Sequence, residues 1–142
     1  MQTIEVKIKK ELIVAGIFIK KKNFLITSRP KGKIFEGLWE FPGGKVKKNE
    51  CLEFALKREI KEEINIDINE SDLFFFQKYN FLRANKKLTL NFFICKKWSG
   101  KLMMNEGQSF KWTNIKNICQ YNFLKSNKKV LKKLTSVIIP HY

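Results

Sequence analysis

The segment Gly43–Ile66 reads GGKVKKNECLEFALKREIKEEINI. It belongs to a chain of 142 residues that has only 13 acidic residues and a formal net charge of +16. Five of those acids, Glu50, Glu53, Glu59, Glu62 and Glu63, fall inside this one segment. Leu52, Leu56 and Ile60 recur every fourth residue, which predicts a helix from Glu50 to Ile64 with that stripe against a core. Asn49 is the expected N-cap, and Glu50 and Glu53 suit the positive end of the helix dipole. Glu59, Glu62 and Glu63 stand at i, i+3 and i+4, so they share an arc about 100° wide. That arc is not opposite the apolar stripe, so the carboxylates emerge where the helix is partly covered. Like charges at this spacing repel, and the cost rises with burial. A surface pair from Arg58 to Glu62 relieves one glutamate and leaves two. Three convergent carboxylates without histidine or thiolate describe a hard-cation site for Mg²⁺ or Mn²⁺; the alternative is a solvated acidic face.

The rest of the composition narrows the class. A hydrophobic content of 44% and an aromatic content of 13% fit a folded globular chain, expected as a single domain over residues 1–142. Cys51, Cys95 and Cys119 are odd in number and widely spaced, which suits free thiols in a reducing cytoplasm. His141 is the only histidine and lies at the tail, which argues against Ser-His-Asp or Cys-His catalysis. The longest apolar run, Leu12 to Ile19, is too short for a membrane span. Glu5 and Glu11 precede it and no small-residue cleavage site follows, so a signal peptide is not expected. Of the 29 basic residues 26 are lysine, scattered through every segment beside abundant Asn, Ile and Phe. That pattern reads as drift toward A/T-rich codons rather than a nucleic-acid-binding block, so no stable nucleic-acid partner is expected. The net field still favours arrival of a phosphate ligand.

Working outward, Thr3 to Lys9 alternates like a strand, Leu12 to Ile19 is a buried-strand run, and Asn23 to Ser28 follows a turn. Arg29 to Gly44 carries Pro30, Gly32, Gly37, Pro42 and the Gly43-Gly44 pair, and reads as a loop interrupted by a short strand at "LWEF". Leu73 to Leu82 and Leu88 to Trp98 resemble two paired strands. Ser126 to Leu134 reads as a terminal helix with Val130, Leu131 and Leu134 on one face. Mixed strands with two helices define an α/β fold class.

From Gly44 the spacing is Gly, five residues, Glu50, seven residues, Arg58-Glu59-Ile60, one residue, Glu62-Glu63, one residue, Asn65-Ile66. This resembles the Nudix box, G-x5-E-x7-R-E-U-x-E-E-x-G-U, with U a bulky aliphatic residue. One position departs: Asn65 stands where the family has glycine, and asparagine is the next best residue for a left-handed backbone. "WEFPGGK", Trp39 to Lys45, is similar to the entry to the box in the MutT branch, the 8-oxo-dGTP diphosphatases. "FLITSR", "WSGKLMMNEGQSFKW" and "FLKSNKKVLKKL" resemble further segments of that branch. The stretch between Tyr79 and Leu88 is longer than in that branch and shows no clear counterpart of an arginine near its base pocket.

The resemblance implies the Nudix fold, an α/β/α sandwich with a central mixed sheet, and hydrolysis of a nucleoside diphosphate linked to a further group. For the MutT branch it implies conversion of 8-oxo-dGTP to 8-oxo-dGMP and pyrophosphate. It implies metal ligation by the Gly44 carbonyl, Glu59, Glu62, Glu63 and Glu106, with Glu59 the first choice of general base and Glu106 the second. Arg58 is read as the clamp that orients the acids, braced by Glu50. The resemblance makes Arg29 a substrate-contacting residue; Lys45 is a phosphate candidate or one more surface lysine. Phe41 offers the base backbone groups or a ring edge, or is a core aromatic. Asn127 reads the oxidised purine or caps the last helix. Two other classes compete: a Nudix hydrolase of dinucleoside polyphosphates, nucleotide sugars or capped RNA, and a non-enzymatic module that recognises oxidised guanine. The intact box argues against the second.

Overall fold

The computed structural model describes residues 7–138. The Leu12 to Ile19 run becomes the middle of β1 (Lys9–Lys20), and a turn at Lys21 and Lys22 leads into β2 (Asn23–Ser28). The strand expected from Thr3 lies, as far as residue 6, outside the described residues; Lys7 and Ile8 precede β1. Then come β3 (Trp39–Glu40), β4 (Gly43–Lys45) and α1 (Leu52–Ile64). An antiparallel hairpin, β5 (Leu73–Arg83) and β6 (Lys86–Cys95), turns at Ala84 and Asn85. The chain closes with β7 (Phe110–Asn114), a 3₁₀ turn at Lys125–Asn127 and α2 (Lys128–Ile138).

These strands form one mixed sheet in the order β3-β2-β1-β6-β5, with β4 added on β1 and β7 on β2. β1 is the organising strand. It runs parallel to β6 from Lys9 to Phe18, while Ile13, Val14 and Ala15 pair antiparallel with Lys45, Gly44 and Gly43. Its side chains alternate between two cores, as a strand period of two requires. Val14 and Phe18 join Leu25, Leu56, Ile60, Ile64 and Phe93 beneath α1. Ala15 and Ile17 join Ile26, Leu90, Phe92, Val130 and Leu134 beneath α2. One helix therefore covers each face, giving the expected α/β/α sandwich.

Two sequence expectations change. Gly43 and Gly44 are strand, not loop. A side chain at Gly43 would overlap the backbone of Val14 and Ala15, so glycine is what lets β4 lie this close to β1. The helix starts at Leu52, with Cys51 at the N-cap and no side-chain cap. Asn49 instead takes a left-handed turn (φ 68°), and Glu50 stays outside the helix, accepting from the Lys47 amide at 2.7 Å. At the other end Asn65 has φ 66° and ψ 14° and its amide donates to Lys61 O, the left-handed cap expected of it.

Gly43→Ala should destabilise the chain by about 2–3 kcal/mol, because the added methyl meets backbone that cannot rotate away. The midpoint of urea unfolding measures this; an unchanged midpoint would mean that β4 does not need its close approach to β1.

Candidate active site

The acidic face of α1 lies against β4. Any side chain at Gly44 would overlap the Glu59 carboxylate, so glycine there brings the strand backbone onto the acid. Arg58 fixes the arrangement. Its Nε and Nη2 donate to the two oxygens of Glu50 at 2.6 and 2.9 Å, and Nη2 also donates to the Lys45 carbonyl at 3.0 Å. Its Nη1 donates to Glu59 at 2.9 Å and to Glu62 at 3.3 Å. The guanidinium pulls the Glu50 carboxyl down to about 2. Arg58 thus bonds to Glu50, Glu59 and Glu62 at once.

Glu62 is exposed, whereas Glu63 turns inward. Burial, and then the charges of Glu59, Glu106 and Glu40, push the Glu63 carboxyl well above its usual range. Glu106 is delivered by a loop that hydrogen-bonds along the end of α1. Met103 N donates to Ile64 O at 3.0 Å, Asn105 N to Glu63 O at 2.9 Å, and Gln108 Nε2 to Glu63 O at 3.1 Å. The buried Gln108 in turn accepts from the Glu106 amide at 2.9 Å. Glu59 and Glu106 thus lie close enough to repel Glu63, and Arg58 links Glu59 to Glu62. Among the described residues, no three carboxylates, thiols or imidazoles close into a single ligand shell.

Beside the acids, on the α2 side of the sheet, opens a cavity of about 300 Å³. Its lining includes Gly44, Lys45, Arg29, Phe41 and Asn127, so every substrate residue expected from the sequence faces one space. Arg29, just beyond β2, stands 3.6 Å from Glu40 and donates to Ile34 O. Lys45 is exposed at the rim, 3.3 Å from Glu11. Phe41 is a core aromatic packed edge-on to Phe92, and it also borders the cavity. Asn127 is buried and does not cap α2. Its Oδ1 accepts from the Phe41 amide at 3.1 Å and its Nδ2 donates to Ser126 Oγ at 3.3 Å. One lone pair and one N–H of that amide stay uncommitted.

Four further charged residues line the cavity without having been singled out: Glu11, Glu40, Arg83 and Lys86. Arg83 lines the cavity from the β5–β6 segment, in which the sequence shows no clear counterpart of the branch's arginine. It ends β5, stacks 4.7 Å from the Phe35 ring centroid and reaches Ser126 Oγ at 3.4 Å. The longer hairpin hides it from motif spacing. Glu40 is pushed up to about 7 by burial, against the pull of Arg29 and Arg83. For Glu11 a signal was readable: it falls on the inward face of a β-strand, two residues before Ile13 and four before Ala15.

With this geometry in place, the family is clear: a NUDIX domain model matches residues 14–133, and the chain belongs to the Nudix family. Within it, the chain is 40% identical over 126 residues to an 8-oxo-dGTP diphosphatase of Buchnera aphidicola subsp. Schizaphis graminum, covering 89% of this chain and 94% of that one. A CTP pyrophosphohydrolase of Escherichia coli is 28% identical over 109 residues, covering 77% and 79%. A solved MutT structure, described for Aliivibrio salmonicida and Vibrio cholerae, superposes with a TM-score of 0.77 at 35% identity, covering 90% and 98%. Among the described residues, no helix is long and apolar enough to cross a membrane.

The raised Glu63 carboxyl has a signed consequence. The folded chain holds that proton more tightly than the unfolded one, so the group favours folding at low pH and loses that contribution as pH rises above the ordinary carboxylate range. Glu63→Gln removes the loss. The variant, in metal-free buffer, should melt above wild type at pH 8 and converge with it at pH 4. A constant offset at both values would mean that Glu63 is not held among like charges.

Proposed function

We propose that the chain is a metal-dependent nucleotide pyrophosphohydrolase, a single NUDIX domain that converts 8-oxo-dGTP and water to 8-oxo-dGMP and pyrophosphate. The observation that carries this reading is that Gly44, which abuts the Glu59 carboxylate, also lines a cavity walled by the buried Asn127 amide. The 40%-identical 8-oxo-dGTP diphosphatase supports the substrate.

The donor set fits a hard divalent cation. It is oxygen-only, and Glu63 sits in a conflict of like charges that such a cation relieves. Glu59, Glu62, Glu63, Glu106 and the Gly44 carbonyl are the groups that would hold Mg²⁺, or Mn²⁺ in its place. The cation supplies charge neutralisation to the phosphate chain and acidifies water. Arg58 keeps Glu59 oriented by gripping one of its oxygens, which leaves the other to take the proton of the attacking water. Arg29 and Lys45 balance phosphate charge at the cavity rim. The remaining lone pair and N–H of Asn127 match 8-oxoguanine, whose N7 carries a hydrogen next to the O6 acceptor; guanine presents two acceptors there.

A second reading is a Nudix hydrolase of another nucleotide, which the likeness to the CTP pyrophosphohydrolase keeps in view. Calorimetry separates the two. Wild type should bind 8-oxo-dGMP more tightly than dGMP, and Asn127→Ala should weaken the oxidised ligand by roughly 5- to 150-fold while changing dGMP far less. Equal affinity of wild type for both ligands would favour the second reading. For the metal, Glu62→Gln should lower turnover by at least ~10²-fold with the fold intact. Full activity of that variant, or of wild type in excess EDTA, would sink the metal-dependent mechanism. Mg²⁺ should also raise the melting temperature of wild type more than that of Glu63→Gln.

A further inference from the structure

We infer that Glu11 is a specificity-determining residue of the nucleotide cavity, whose carboxylate accepts the paired N–H donors on the Watson–Crick edge of a guanine-type base. This rests on the reading of the cavity as the nucleotide site.

Glu11 breaks the pattern of its strand. Positions 13, 15 and 17 of β1 place Ile13, Ala15 and Ile17 toward the core beneath α2, and position 11 continues that face. An apolar residue is what the strand period calls for there. A carboxylate stands there instead, beside Leu88 in the parallel ladder, with its side chain only 10% exposed. A mostly buried acid costs stability unless it is paired and hydrogen-bonded. Glu11 is only half provided for. Lys45 and Lys86 lie 3.3 and 3.4 Å from Oε1, and Lys9 lies 3.8 Å away, yet this buried oxygen has no hydrogen-bond partner among the described residues. Burial alone would raise the carboxyl, but Lys45 and Lys86 outweigh it and hold it below its usual value. The group is thus an anion ringed by three lysines, and it lines the same cavity as Asn127.

The chemistry that fits such a group is a planar pair of donors. Guanine and 8-oxoguanine present N1–H and N2–H₂ side by side, which suits the two oxygens of one carboxylate. Adenine presents an unprotonated N1 at that edge, and an anion that cannot donate repels it. The aliphatic residues next to Glu11, Ile13 and Leu88, supply the flat apolar contact that a purine ring needs. Glu11 and Asn127 would then divide the work. Asn127 reads the edge altered by oxidation, and Glu11 reads the edge that makes the base a guanine. The sugar 3′-hydroxyl is the other donor on the nucleoside, but it is single and does not match both oxygens.

The test compares kcat/KM of the full chain for substrates that differ by one donor. The pairs are 8-oxo-dGTP against its analogue lacking the 2-amino group, and dGTP against dITP. Wild type should favour the amino-bearing partner by roughly 10- to 100-fold in both pairs. Glu11→Leu should erase that ratio, and the near-isosteric Glu11→Gln should retain part of it. Continued turnover of the amino-lacking substrates reports that the variants are folded. If Glu11→Leu changes all four substrates by one common factor, Glu11 is only a counter-ion for the rim lysines and the inference is overturned. It is equally overturned if the lost factor follows removal of the 3′-hydroxyl. The unoxidised pair keeps the two readings apart. A wild type indifferent to oxidation at C8, in which Glu11→Leu still erases the dGTP/dITP ratio, sinks the 8-oxo-dGTP assignment and upholds Glu11.

Discussion

A single guanidinium holds the chemistry of this chain in register. Arg58 is largely buried and spends its donors on three segments at once: the turn carrying Glu50, the carbonyl of Lys45 on β4, and Glu59 on its own helix. Each contact alone is modest. Together they convert a helix that is free to slide on its apolar stripe into one locked against the strand beside it. A planar fork with five fixed donors can do this; an ammonium on a flexible stem cannot match two carboxylates and a carbonyl simultaneously. The glycine at position 44 is the other half of the constraint, since any side chain there would displace the acid that Arg58 holds.

β1 separates the two tasks of the molecule. Its Val14 and Phe18 side chains anchor the acidic helix on one face, while Ala15 and Ile17 belong to the opposite core, next to the cavity. The acidic helix is therefore supported from one side of the sheet and the cavity from the other. They meet at β4, where Gly44 touches the acid and Lys45 reaches the rim. The period of two in one strand keeps the two sets of side chains apart, and a slip of one residue would exchange them.

How much of this was legible depends on range. The acids of α1 and the left-handed cap at Asn65 follow from spacing within a few residues, and both appear where expected. The hairpin of β5 and β6 was visible because its aromatic runs are long. β4 was not, since three residues containing two glycines carry no strand pattern and the reason for their conformation lies on β1, about 30 positions earlier. The helix start was misplaced for a related reason: Glu50 looks like a first-turn residue until Arg58, eight residues on, claims its carboxylate. Glu40 and Arg83 acquire meaning only through neighbours distant in the chain. Asn127 stood open between a cap and a reader of the base because its burial beside Phe41 is a property of the fold, not of its local sequence.

At the edge of the cavity two segments meet through a ring contact. Arg83 from the β5–β6 hairpin lies on the Phe35 ring from the loop between β2 and β3, and Phe35 is itself exposed. A cation–π contact at such a site is worth about 0.5–1 kcal/mol, close to thermal energy at room temperature. The floor of the cavity, by contrast, is sheet. The weak contact and the hydrogen-bonded base of the cavity thus belong to different parts of the chain. Loosening of that contact leaves undisturbed the strands against which the acidic helix packs.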